Sequence, residues 1–569
     1  MNNTKTDLDT LDGGEAMLEA LRALNIDYIF SSPGSEWGGF WEALARAQVK
    51  GTPGPRFISC WHETLAVDLA LGYTLATGRM QAVVLHAGVG LLQGSMAIHA
   101  AYIQNLPVLV FSGETLTYGE RAGFDPGAQW YQNLSIVGGT QRFVEAFVKW
   151  GGQASSVETL YSTIVRGGEI AQRTPLGPVY ISVPIETQLA AWKKPKNLAK
   201  TLPVRAPQAP RSEIEVVAKL LKKATDPVIV TEAAGRDRTS YEALLAFAEK
   251  FAIPVVETPS SMFSNFPKEH PLHQGPSLAP LFETTDLVLV IRSRVPFYPA
   301  NRRPPSAAVV LIDENPYRSH MAYQNLPADA VLEGDITHTL EVLTDITDID
   351  AETIVLRRER YATSHASADQ KRLNELSKAK IQDPIDPGWL CTVLSDVLPA
   401  NTVYVDETIT HRGIVESHLR NKGPGSFLKV RGGLGQVLGH ALGAKIALPN
   451  QPVVALVGDG TFLYNPISQS LGFAQQSNLG ILVVIFNNKR YLAMKLDHAR
   501  YYPEGVSKRE NIYVGETIGS DPQLSTLGDA FGCWGRRIER SEELPDALRE
   551  AYSATLSGRT AILDVIVDP

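Results

Sequence analysis

The chain carries two kinds of hydrophobic patterning in alternation. Short runs of β-branched and aliphatic residues, bounded by glycine or proline, read as strands. In the first third these are Ala82–Leu85 (AVVL), Val108–Phe111 (VLVF) and Val179–Val183 (VYISV). In the middle they are Val228–Thr231, Pro254–Val256, Leu287–Ile291 (LVLVI) and Val309–Ile312, and in the last third Val403–Val405, Val453–Val457 and Leu482–Phe486. Longer stretches of helical character separate them. Runs that stay apolar at consecutive positions belong to strands covered on both faces, and strands alternating with helices build parallel sheets. The expected fold class is α/β, with doubly wound parallel sheets.

Two shifts in composition divide the pattern. Residues 193–212 are rich in Pro and Lys and read as a linker; residues 351–385 are highly charged, poor in strand formers, and read as a helical connector. Three α/β domains are therefore expected, at 1–192, 205–345 and 375–569. Length agrees, since 569 residues at roughly 150 per domain give three or four. The hydrophobic fraction of 44% and charged fraction of 20% exclude a disordered chain, a collagen and a disulfide-stapled miniprotein. The net charge of −8 lacks the basic footprint of a nucleic-acid binder. Cys60, Cys391 and Cys533 are too sparse for a disulfide framework or a CxxC metal pair, and are expected reduced and buried. The polar start MNNTKTDLDT lacks the apolar core of a signal peptide, and the longest apolar runs fall far short of the ~20 residues that span a bilayer. A cytoplasmic protein without membrane or nucleic-acid partners is expected.

The most specific motif is Val453–Asn488, VVALVGDGTFLYNPISQSLGFAQQSNLGILVVIFNN. It reads as a strand, the turn Gly458-Asp459-Gly460, a helix, and a strand ending in Asn487-Asn488. Glycines let backbone turn tightly and approach a ligand, and a helix N-terminus offers free N–H groups to an anion. Asp459 and Asn488 supply hard oxygens, which with a phosphate suit Mg²⁺. Both ends fall at the carboxyl edge of neighbouring strands, where open α/β sheets bind ligands.

This pattern resembles the thiamine-diphosphate enzyme superfamily that contains acetolactate synthase, pyruvate oxidase and benzoylformate decarboxylase. The resemblance covers essentially the whole chain and implies a pyrimidine-binding, a middle and a diphosphate-binding domain, in that order. It implies thiamine diphosphate and Mg²⁺ as cofactors. The metal ligands would be the side chains of Asp459 and Asn488 and the backbone carbonyl of Arg490. Gly458, Gly460, Thr461, Tyr491, Leu492 and Met494 would line the cofactor, with Asp497 near it, and Thr408 and Thr410 would reach the diphosphate. In Cys60–Gly78 (CWHETLAVDLALGYTLATG), Glu63 falls on the glutamate that protonates the pyrimidine, with Gly72-Tyr73 and Gly78 in register. A shielded carboxyl with a raised pKa suits that task. In Arg431–Leu442 (RGGLGQVLGHAL), assigned to the diphosphate domain, Leu434 would bend the cofactor and the Gly432 carbonyl would accept from its amino group. A homodimer is implied as the smallest active unit, with a homotetramer common.

Substrate-side residues narrow the reading. Ser32–Trp37 (SPGSEW) and Val83–Gly90 (VVLHAGVG) resemble the benzoylformate decarboxylase branch. Ser35 would contact the substrate carboxylate and His86 would relay protons, a task for a histidine near neutral pKa. Trp37, Trp41 and Gln93 are candidates to shape the pocket. The chain departs from that branch around Val295–Pro299, which carries Tyr298 but no second histidine. It also departs after Asn488, where Lys489, Arg490, Lys495, His498 and Arg500 form a basic segment suited to an anionic or polar substrate. No flavin fingerprint stands out in 205–345, so FAD is not expected. Arg292, Arg294, Arg302 and Arg303 there suggest either an acyl-CoA partner or plain surface charge. The expected activity is decarboxylation of a small 2-oxo acid through an enamine–carbanion, ending in an aldehyde or in ligation to a second carbonyl. Alternatives are an acetolactate-synthase-type carboligase, a 2-hydroxyacyl-CoA lyase and, from another class, a non-catalytic binding subunit; Glu63, Asp459 and Asn488 all speak against the last.

Overall fold

The apolar runs are strands of three parallel sheets. The computed structural model describes residues 7–114, 130, 136–198, 200–201, 203–299, 302–321, 326–420 and 423–568. Among these, the first sheet has six strands: β1 (Tyr28–Ser31), β2 (Arg56–Ser59), β3 (Gln81–Leu85), β4 (Val108–Glu114), β5 (Trp150–Gln153) and β6 (Val179–Pro184). Their order is β2-β1-β3-β4-β6-β5. The second sheet has β7 (Pro227–Thr231), β8 (Val255–Glu257), β9 (Leu287–Ile291), β10 (Ala308–Asp313) and β11 (Ala330–Glu333), ordered β11-β10-β9-β7-β8. The third has β12 (Val403–Glu407), β13 (Phe427–Lys429), β14 (Val453–Gly458), β15 (Leu482–Asn487), β16 (Trp534–Ile538) and β17 (Ala561–Ile566), ordered β13-β12-β14-β15-β17-β16. Central strands such as β3, β9 and β15 are buried at every position, as helices on both faces require.

Seven helices matter below: α1 (Glu63–Thr77), α2 (Val89–Gln104), α3 (Ala351–Ala379), α4 (Val437–Ala447), α5 (Asp459–Tyr464), α6 (Ile467–Gln476) and α7 (Leu492–Tyr501). The charged connector is α3, a single helix of 29 residues. The helix expected after Gly458-Asp459-Gly460 is two helices, α5 and α6. They part at Asn465-Pro466, where proline brings no N–H and restricts the residue before it. No helix among the described residues is long and apolar enough to cross a membrane. All three cysteines are buried and free.

The chain forms two compact units, Met1–Arg205 with Arg431–Ala447, and Ala206–Val430 with Leu448–Pro569. The first draws in a segment from far along the sequence. The glycine turn and helix α4 lie between β13 and β14 in sequence, but they pack within the first unit, against α1. Glycines make the contact. A Cβ on Gly72 would stand 2.1 Å from the His440 carbonyl oxygen, and one on Gly443 would stand 2.1 Å from that of Leu69. The Gln436 amide donates to Asp68 at 2.8 Å across the same seam. Gly72→Ala is therefore expected to destabilise the protein by about 1–3 kcal/mol, read as a lower urea midpoint; an unchanged midpoint would refute this packing.

The four arginines of the middle domain have different surroundings. Arg292 is buried and donates through Nε to Glu314 at 2.8 Å and through a terminal nitrogen to Asp237 at 2.9 Å. Arg294 donates to Glu232 at 2.8 Å. Arg303 pairs with Asp329, and Arg302 lies over the Phe282 ring. Arg292 and Arg294 are thus paired largely out of solvent, whereas Arg302 is exposed and Arg303 half-buried.

Candidate functional site

Two groups of side chains stand at strand ends. The first belongs to the first unit. Strands β1 and β3 are neighbours, with Ile29 opposite Ala82 and Ser31 opposite Val84. Their register brings the turn after β1, Ser32–Trp37, beside His86, which follows β3. Glu36, on that turn, is buried. One of its oxygens is 2.7 Å from His86 Nδ1, and the other accepts the Ala87 N–H at 2.6 Å. Two glycines leave room for the pair. A Cβ on Gly34 would lie 2.4 Å from both Glu36 Oε2 and His86 Nδ1, and one on Gly113 would lie 2.1 Å from Glu36 Cγ.

Glu63 joins the same cluster. His62 caps α1, its Nδ1 accepting the Thr64 N–H at 3.1 Å, and this sets Glu63 at the first position of the helix. Helix α2 closes on it at Gly90, whose added Cβ would lie 3.0 Å from His86 Cβ and 3.3 Å from Glu63 Cγ. Glu63 and His86 thus face one another across a glycine. Glu63 is half-buried. Ser35 is exposed on the same turn. Nearby, the Gly432 carbonyl oxygen is 3.2 Å from His99 Nδ1, and Leu434 is half-buried.

The surroundings of His86 move its proton affinity upward on balance. Hydrogen bonding to the Glu36 carboxylate raises its pKa above the usual value, burial opposes, and the charges of Glu36 and Glu63 raise it further. A raised imidazole stabilises the fold fully below the unfolded value of about 6.5, and that contribution is lost as pH rises through the higher folded value. Glu36→Gln is accordingly expected to lower the His86 titration midpoint seen by NMR, and to shift the matching limb of the pH–rate profile in the same direction. A midpoint that does not move would show that Glu36 does not set the charge of His86.

Three pocket candidates resolve differently. Trp37 is fully buried in the sheet's core, with Nε1 donating to the Leu85 carbonyl at 2.9 Å, so it shapes no pocket. Trp41 packs on its neighbours Trp37 and Phe57. Gln93 is exposed, as is Tyr298.

The second group belongs to the second unit, at the carboxyl ends of β14 and β15, which pair with Gly458 opposite Phe486. Asp459 follows β14 and is buried. Its Oδ1 accepts the Gly460 N–H at 2.8 Å, while its Oδ2 is buried without a hydrogen-bond partner among the described residues. Burial lifts this carboxyl to about 6, against the pull of the Gly460, Lys489 and Arg490 amides. Asn488 follows β15, its Oδ1 accepting the Arg490 N–H at 3.0 Å. Between them Lys489 adopts the left-handed conformation, φ 60°, uncommon for a side chain of this size. The turn is pinned by backbone: Tyr491 N–H donates to the Glu516 carbonyl at 2.7 Å, and Arg490 bridges Thr517. The Tyr491 ring lies over Gly460, where a Cβ would come within 2.6 Å of it. A Cβ on Gly458 would meet nothing within 4 Å. A buried unpartnered carboxylate oxygen, a side-chain amide and a carbonyl beside open space are the hard-oxygen set that Mg²⁺ takes, so these residues fit the expected metal.

The neighbouring threonines differ. Thr408 is buried and its hydroxyl donates to Asp406 at 2.7 Å, so its proton is already used. Thr410 is half-buried. Thr461 is buried on α5, Leu492 half-buried and Met494 exposed on α7.

The basic segment is not a free positive surface. Lys489 pairs with Asp521 at 2.9 Å, Arg490 and Lys495 share Glu516 at 3.0 and 3.1 Å, and Arg500 pairs with Asp497 at 2.8 Å. His498 contacts the Ser507 hydroxyl at 3.0 Å. The acids that pair with Lys489, Arg490 and Lys495 come from the chain that follows, Asp521 and Glu516, while that of Arg500 lies within the segment.

Comparison with known proteins bears on both groups. Residues 11–135 match the N-terminal TPP binding domain of thiamine pyrophosphate enzymes, residues 214–343 their central domain, and residues 410–565 their C-terminal TPP binding domain. A probable acetolactate synthase large subunit of Methanocaldococcus jannaschii is 27% identical, over 98% of this chain and 92% of its own length. A benzoylformate decarboxylase of Pseudomonas aeruginosa is 25% identical over 95% and 96%. The solved benzoylformate decarboxylase of Polynucleobacter necessarius superposes with a TM-score of 0.79 at 21% identity, covering 98% of each chain, and so shares the fold. Each matched domain contains strands of one of the three sheets, and the chain belongs to the thiamine pyrophosphate enzyme family.

Proposed function

We propose that the protein binds thiamine diphosphate and Mg²⁺ and decarboxylates a small 2-oxo acid, releasing an aldehyde or passing the acyl unit to a second carbonyl. The observation that carries this reading is the buried, unpartnered Oδ2 of Asp459 beside Asn488 and the Arg490 carbonyl. The Asp459 and Asn488 side chains and the Arg490 carbonyl would hold the metal, which would supply positive charge to the diphosphate. Gly458 leaves open space beside it, Gly460 and Thr461 start the helix next to it, Thr408 and Thr410 would stand nearby, and Tyr491, Leu492 and Met494 would cover it. Gly432 and Leu434 meet the cofactor's ring end. The cofactor supplies a carbon centre that takes up the electron pair left behind by carbon dioxide.

Everything else falls to side chains of this chain. Glu63 holds the proton that activates the cofactor. His86, kept protonated to higher pH by Glu36, delivers and retrieves a proton at the substrate oxygen, and the Ser35 hydroxyl donates to the substrate carboxylate. The reading carries with it a homodimer as the smallest active unit, and a homotetramer. The relatives are named both as acetolactate synthases and as benzoylformate decarboxylases, so ligation is the second reading.

Calorimetry with thiamine diphosphate, with and without Mg²⁺, tests cofactor binding; no metal-dependent binding would overturn the proposal. A panel of 2-oxo acids then divides its branches. Aldehyde alone marks a decarboxylase, acyloin a ligase, and cleavage of a 2-hydroxyacyl-CoA with every acid inert would replace this reading by a lyase.

A further inference from the structure

The turn proposed to hold the metal rests on a carboxylate from another strand. Asp564 lies on β17, opposite Ile485 of β15, and is fully buried. Its Oδ1 accepts the Asn487 side-chain N–H at 2.7 Å, and its Oδ2 accepts the Leu524 N–H at 3.2 Å. Asn487 in turn uses its own Oδ1 to accept the Lys489 N–H at 3.0 Å, the residue held in the left-handed conformation. One hydrogen-bonded chain therefore runs from Asp564 through Asn487 to the backbone between Asn488 and Arg490.

We propose that Asp564 is a positioning residue for the metal: it orients Asn487, which fixes the turn that presents the Asn488 side chain and the Arg490 carbonyl. It touches neither metal nor substrate, and it rests on the metal reading given above. An acid buried inside a central strand is costly to keep there unless its bonds are used. Both its oxygens are used, and the side-chain bond leads to the metal turn. Residues that orient ligands from behind typically contribute 10–100-fold in metal affinity.

The test uses the full-length protein with saturating thiamine diphosphate and Mn²⁺ as the probe, free Mn²⁺ being read by electron paramagnetic resonance. Asp564→Asn keeps the volume but cannot accept from both N–H groups, and it is expected to weaken Mn²⁺ by about 10–100-fold. Asn487→Ala should do the same. The double variant should be no weaker than the worse single one, because both remove one chain of bonds. If Asp564→Asn fails to fold, Asn487→Ala alone decides the matter. Mn²⁺ affinity within twofold of the parent in the variants that fold, or losses that multiply in the double variant, would overturn the inference. A parent protein that binds no Mn²⁺ would instead overturn the metal reading itself.

Discussion

Asp459→Ala is expected to remove metal-dependent cofactor binding while leaving the empty protein at least as stable. The two halves of that outcome have one cause. Asp459 buries an oxygen that no N–H or cation of the described residues satisfies, and burial raises its proton affinity to about 6. Such a group is a cost to the fold alone and a gain once a divalent ion arrives. Loss of supporting groups behind a metal typically weakens it 10–100-fold, so loss of the only carboxylate of the set should exceed about 100-fold. Calorimetry of thiamine diphosphate with Mg²⁺ measures the first half, and the melting temperature of the cofactor-free protein the second. Retained Mg²⁺-dependent binding would remove Asp459 from the metal site, and a lower melting temperature would show that its oxygen is satisfied in the fold.

The second large effect is expected from Glu63→Gln. Glutamine keeps the length of the side chain and the start of α1, which His62 caps independently. It removes only the exchangeable proton. General acid–base groups contribute about 10²–10⁴-fold, so turnover should fall by that factor. Cofactor and Mg²⁺ should still bind within a few-fold of the parent, which separates a lost proton from a lost site. Turnover within tenfold of the parent would mean that the cofactor is activated by another group.

The sequence showed the middles of the sheets better than their rims. Strands β3, β9, β14 and β15, covered on both faces, are continuous apolar runs and were legible. The edge strands β2 (RFIS), β5 (WGGQ) and β16 (WGRRI) carry arginine and glycine because one side faces no neighbour, and they show no such run. Strand β17 lies inside its sheet yet was equally hidden, because Asp564 interrupts AILDVI. In the candidate site, Asp459, Asn488, Glu63 and His86 were found through local motifs. Glu36 was missed although it stood in the quoted SPGSEW, because its partner is His86, across a strand pairing that spacing along the chain does not reveal. The ion pairing of the basic segment was hidden for a related reason. Lys489, Arg490 and Lys495 precede, by one loop, the acids that pair with them.

The packing of α4 on α1 has a consequence for how the polypeptide matures. Gln436 and Asp68, bonded across that seam, are 368 residues apart in sequence. During synthesis, α1 emerges early with the surface around Gly72 uncovered, and its partner helix is made only after the whole second sheet. The first unit is thus begun first and completed late. Contacts this distant in sequence slow folding, and surface that waits for its cover is prone to association. The nascent chain should accordingly depend on chaperones until residue 447 has left the ribosome, and a fragment ending before Arg431 should bind apolar dyes where the full-length protein does not.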